Sequence, residues 1–123
     1  MVQPVVPAGW PAEVRPPGVD GWEGSAARWL LDICPPEFRS YAVLRRHPVV
    51  LARFAVVQTT ASHEAARRAL GDARNSLRDF VAPDTTERIL DAWEREMARL
   101  AARLRSVRLV EEALRGREFR PRL

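Results

Sequence analysis

A chain of 123 residues, 46% of them hydrophobic and 29% charged, is long enough for one domain and too rich in apolar side chains to be disordered throughout. Its apolar runs are a few residues long, far below the roughly 20 needed to cross a bilayer, and the proline-rich start has neither the charged nor the apolar region of a signal peptide. The composition therefore reads as a cytoplasmic protein with no membrane partner. Cys34 is the only cysteine, which excludes an intrachain disulfide, a CxxC redox site and a zinc knuckle and leaves a small buried apolar residue as its simplest role.

Proline divides the chain. Residues 1 to 19 hold five of the ten prolines and show little periodicity, which predicts an extended, polyproline-like arm. The remainder, 20 to 123, reads as a single all-α domain. Asp20 followed by Glu23 is a capping pattern, and Trp22, Ala26, Trp29, Leu30 and Ile33 then share a face, so a short helix is expected over about 21–33, before Pro35 and Pro36. Residues 35 to 47 have room for another helical turn around Phe38 and Tyr41.

Two proline-free windows follow, and proline is what a long helix interior cannot hold. The first predicts a helix over about 48–81, with Pro48 in its first turn. It carries Val50, Phe54, Val57 and Ala61, then Ala66, Leu70, Ala73, Leu77 and Phe80, two stripes joined across a five-residue phase shift. The second predicts a helix over about 85–115, with Asp84 as cap, Glu87 reaching back to it and Gly116 as stop. Its stripe, Leu90, Trp93, Met97, Leu100, Leu104, Val107, Val110 and Leu114, has coiled-coil spacing.

The connection between the windows is too short for anything but an antiparallel neighbour, which predicts a long helical hairpin about 50 Å in length. Counting outward from the turn sets Ala73 near Trp93 and Ala66 near Leu100, large residues facing small ones. Two helices alone leave much apolar surface in water. The Trp-bearing segment is the expected cover, and a homodimer closing into a four-helix bundle is the remedy if that cover is insufficient.

The inventory for catalysis is thin. His63-Glu64-Ala65-Ala66-Arg67 begins like the HExxH zinc motif but has arginine where the second imidazole is required. Glu87, Asp91 and Glu94 align on a helix, yet the Glu-x-x-His pattern of di-iron bundles is absent, and interleaved Arg88 and Arg95 make this a solvated charged face. No glycine-rich phosphate loop and no nucleophile elbow occurs. The expectation is a non-enzymatic chain with no cofactor, no metal and no catalytic residue.

Charge is the remaining signal. All twenty basic residues are arginine. Residues 1 to 98 hold 12 Arg and 13 acidic residues, a net −1, whereas 99 to 123 hold 8 Arg and 3 acidic residues, a net +5. An antiparallel hairpin brings the end of its second helix beside the start of its first, so Arg105, Arg108, Arg115, Arg117, Arg120 and Arg122 should join Arg39, Arg45, Arg46, His47 and Arg53 in one basic pole. Arginines in a last turn complement the helix dipole, but Arg45 and Arg46 precede a helix start, where anions rather than cations are favoured. The segment Leu44 to Pro48 is thus a candidate anion or partner site, set against internal pairing with Glu111, Glu112 or Glu118. An acidic protein partner suits these arginines. So does nucleic acid, held through its phosphates without sequence readout.

The segments GWE at 21–23, RWLLD at 28–32, CPPEFRSY at 34–41, VLRRHPVVLAR at 43–53 and LVEEALRGREFRPRL at 109–123 resemble small actinobacterial helical proteins of unknown function. That resemblance covers under half of the chain and implies a host class, with no activity attached. The sequence as a whole points to a helical interaction or adaptor protein that binds a macromolecule, with nucleic-acid binding through the arginine-rich pole as the alternative.

Overall fold

A computed structural model describes residues 5–121. Among them the chain forms α1 (Trp22–Ile33), a 3-10 turn (Pro36–Ser40), a short α2 (Ala42–Arg46), and two long helices, α3 (Pro48–Leu77) and α4 (Pro83–Leu114), with no strand. At about 1.5 Å per residue the long helices run some 45–48 Å. They pack against one another along the hairpin, and α1 lies chiefly on α3. No helix among the described residues is long and apolar enough to cross a membrane.

The α4 stripe packs much as its spacing predicts. Leu90, Leu100, Val107 and Val110 are buried, while Met97, Leu104 and Leu114 are partly so. Where strict alternation of 3 and 4 places the seventh position there is a carboxylate, the buried Glu111. On α3 the outcome is different. Leu51, Ala52, Ala55, Val56, Thr59 and Ala66 are the buried residues, whereas Val50, Phe54, Val57 and Ala61 are exposed. The face toward α4 is one uninterrupted stripe, Ala52, Val56, Thr59, His63, Ala66, Leu70, Ala73 and Leu77, at spacings of 4 and 3 with no phase shift. Thr59 and His63 sit inside it, so polar side chains broke the pattern that hydrophobicity alone would have traced.

Of the expected hairpin register, one half is visible. Trp93 and Ala73 line the same apolar cleft, of about 150 Å³, and the Trp93 indole N–H crosses to donate to the Ala66 carbonyl at 2.8 Å. Trp93 is still 40% exposed, because among the described residues no third layer covers this distal half. The proximal half is covered. There Ala26, Leu30, Leu51, Ala52, Ala55, Val107 and Val110 form one core with Val14 and Cys34, and wholly buried alanines let α1 approach α3 closely. The molecule is a three-layered head with a two-helix stalk.

Several local expectations need correction. Helix α4 begins at Pro83, with Ala82 as its cap residue and no side-chain cap bond; Asp84 lies inside the first turn. The cap of α1 is Gly21, in the left-handed region at φ 79°, and not Asp20. Helix α3 stops at Leu77, so Phe80 belongs to the turn and is 82% exposed. Residues 5–19, the described part of the expected arm, carry no regular helix or strand. They make successive turns closed by Trp10 N–H to Pro7, Val14 N–H to Pro11 and Val19 N–H to Pro16 carbonyls. Side chains then fasten this segment to the head. Ser25 Oγ accepts from the Arg15 amide at 3.0 Å, Ser106 Oγ donates to the Gly9 carbonyl at 2.6 Å, and Val14 is buried. Residues 1–4 of the expected arm lie outside the described residues.

A candidate interaction surface

Cys34, Pro35 and Pro36 end α1, because proline removes a backbone donor and biases the residue before it to extended geometry. The 3-10 turn that follows brings Phe38 against the outer face of α3. Its ring meets Phe54 edge-on at 5.7 Å and Tyr41 at 6.2 Å. These three aromatics form the end of an apolar strip on the protein surface. Tyr41 is 52% exposed, Val43 62%, Val50 38%, Phe54 42% and Val57 54%. Spaced singly such residues need no explanation, but Val50, Phe54 and Val57 form a run on one face of α3, which is a different matter.

The strip lies behind the hairpin. From Phe54 to His63 is nine residues, which at about 100° per residue places the two on opposite sides of α3. Helix α3 is thus apolar on two faces, one turned to α4 and one turned to solvent. The second is the Val50, Phe54, Val57 and Ala61 stripe that spacing alone assigns to the hairpin core.

The basic pole is partly neutralised from within. Glu111 Oε2 is approached by Arg53 at 3.4 Å and by Arg115 at 3.7 Å, and Arg117 pairs with Glu112. The Arg117 guanidinium also lies 5.3 Å over the Phe119 ring, which in turn meets Trp10 edge-on. The Arg53 pair confirms that the start of α3 runs beside the end of α4. Arg45, Arg46, Arg108 and Arg120 are exposed and make no ion pair with another described residue. Arg120 faces an open groove between Val5–Ala8 and Arg117–Pro121. Arg122 lies outside the described residues.

At Leu44 to Pro48, the candidate anion or partner site, several backbone amides are turned inward. Helix α2 turns directly into α3, with His47 donating its amide to the Leu44 carbonyl. The Val50 and Leu51 amides both point back to the His47 carbonyl, and Pro48 has no amide hydrogen at all. The Arg45, Arg46 and His47 side chains are exposed at the N-terminal end of the apolar strip.

His63 is partly buried in the α3 stripe, and Glu64 pairs on the outer side with Arg67 at 2.9 Å and Arg68 at 3.4 Å. The Arg67 hydrogen bond holds the Glu64 carboxyl below the usual glutamate range. Glu87 bridges the hairpin to Arg74 at 3.1 Å. Among the described residues no three His, Cys, Asp or Glu side chains gather into a possible metal site. Burial pushes the Cys34 thiol up, which suits a packing role more than a nucleophile.

Sequence reasoning omitted Tyr41 from the site and counted the strip as core. The signal that could have found it is geometric. Once the buried stripe is traced through Thr59 and His63, the Val50, Phe54, Val57 and Ala61 stripe falls on the side of α3 away from α4. No protein-family model matches this chain, and comparison with curated proteins and with solved structures returns no match.

Proposed function

We propose that this chain is a non-enzymatic interaction protein whose three-layered head presents the Val50, Phe54 and Val57 strip, extended by Phe38 and Tyr41, to a helical segment of a protein partner. The observation that carries the reading is the second apolar face of α3, a helix-in-groove type of surface with anchors at i, i+4 and i+7. Exposed Arg45 and Arg46 at the end of the strip add a preference for an acidic flank on the partner. The internal pairing of Arg53, Arg115 and Arg117 leaves less charge for phosphate than the sequence advertises, so nucleic acid is the second reading.

A photo-crosslinking amino acid at position 57, introduced in the cells that make the protein, tests the reading. A protein adduct that is lost with Phe54→Ala is expected, with a crosslinker at the exposed Arg88 position as control. The absence of any adduct specific to position 57 would overturn it. Fluorescence anisotropy with labelled RNA and DNA over a salt series covers the second reading. Steeply salt-sensitive binding, lost when Arg45 and Arg46 become Ala, would put nucleic acid first.

A further inference from the structure

We propose that the occupant of the α3 strip is a second copy of this chain, laid antiparallel across it so that the head half of each strip faces the alanine half of the other. The inference rests on the strip being a binding face, and it is carried by the pattern of size and charge along that face. The strip runs Val50, Phe54, Val57, Ala61, Ala65 and then changes character, since the same side continues with Arg68 and Asp72. Its apolar length is therefore 16 residues, about 24 Å of helix. The bulky residues occupy one half and the alanines the other.

A two-fold axis beside Val57 makes those halves complementary. It sets Phe54 against Ala61 of the second copy and Val50 against its Ala65, so that large side chains meet small ones on both sides of the axis. Val57 then sits close to Val57 of the other copy. A parallel pairing would stack Phe54 on Phe54 and leave the alanine half facing itself across a gap.

Charge selects the same arrangement. Arg53 and Glu64 are eleven residues apart, about three turns, and so lie on the same edge of the strip. The opposite edge carries Leu51, Gln58 and Ser62, all uncharged. An antiparallel two-fold keeps like edges together, which places each Arg53 within a turn of Glu64 of the other copy, twice over. Parallel pairing about a two-fold along the helices would instead turn both of these charges toward an uncharged edge. Both side chains have room to reach outward, being 52% and 40% exposed while holding their internal ion pairs. A four-turn contact is too small for an obligate dimer. The association is therefore concentration-dependent and of roughly micromolar strength.

Sedimentation equilibrium of the full chain across about 5 to 500 μM checks this range. A monomer–dimer equilibrium is expected, weakened at least tenfold by Phe54→Glu with an unchanged far-UV spectrum. Arg53→Glu and Glu64→Arg should each weaken it about fivefold, and the two together should recover most of the loss, which non-specific stickiness cannot reproduce. Because Cys34 is buried, Val57→Cys supplies the only accessible thiol, and mild oxidation should trap a disulfide dimer. A monomer at every concentration, an association indifferent to Phe54→Glu, or a double variant without recovery would each overturn the proposal. If the position-57 crosslinker captures another protein while the purified chain stays monomeric, self-association fails and the interaction reading stands; no adduct removes both.

Discussion

The head-and-stalk division makes a quantitative prediction within a single helix. Leu51 and Leu70 are the same residue on the same helix, 19 positions apart, but Leu51 is fully buried in the head, whereas Leu70 is only partly covered in the stalk. Truncating Leu51 to Ala removes a side chain from the core shared with Leu30, Val107 and Val110, where neighbours on three layers cannot collapse into the space. A loss of about 3–4 kcal/mol is expected for such a site. Leu70→Ala deletes a side chain that already meets water, so roughly half the transfer energy and little cavity are lost, or about 1–2 kcal/mol. For a chain of this length those figures correspond to falls in Tm of roughly 12–16 °C and 4–8 °C. Urea and thermal unfolding followed by circular dichroism would measure both. If Leu70→Ala costs as much as Leu51→Ala, the stalk is covered by something, and the two-layer description is wrong.

Three other outcomes follow from particular residues. Gly116 ends α4 at φ 99°, with its own amide bonded to Ala113 and that of Arg117 to Glu112; Gly116→Ala has open space for its methyl, so only backbone strain is added, about 1 kcal/mol and a few degrees of Tm. Cys34 is expected to resist an aromatic disulfide reagent in the native protein and to react at the rate of opening, so Leu51→Ala should speed labelling, and rapid labelling of the unmodified protein would contradict its burial. The carboxyls of Glu64 and Glu96 are held below their ordinary value by hydrogen bonds from Arg67 and Arg99. A depressed native pKa gives stability that is present above the unfolded value and lost as pH falls through the native one. The stalk should therefore loosen in acid below the usual glutamate range, and hydrogen exchange of the two helices as a function of pH would show it; because both pairs are exposed, the effect is small and shrinks with salt.

The sequence by itself determined the helical class, the presence of two long helices packed as an antiparallel pair and much of the inward face of α4. Proline spacing and an apolar stripe of helical period are local, and local patterns fix local geometry. It also supplied the two possible fates of the basic pole, in which Glu111 and Glu112 were already named as internal partners.

Tertiary structure decided which of two apolar stripes on α3 would be buried. Both have helical spacing, so periodicity cannot rank them, and the choice falls to whichever face α1 and α4 together cover. That choice put Thr59 and His63 inside and left Val50, Phe54 and Val57 outside. The caps were likewise settled by context, as Gly21 takes a left-handed turn that Asp20 would adopt less readily. The proline-rich segment folds onto the head because Ser25 and Ser106 offer it hydrogen bonds, and no pattern within residues 5–19 encodes groups so distant in the chain.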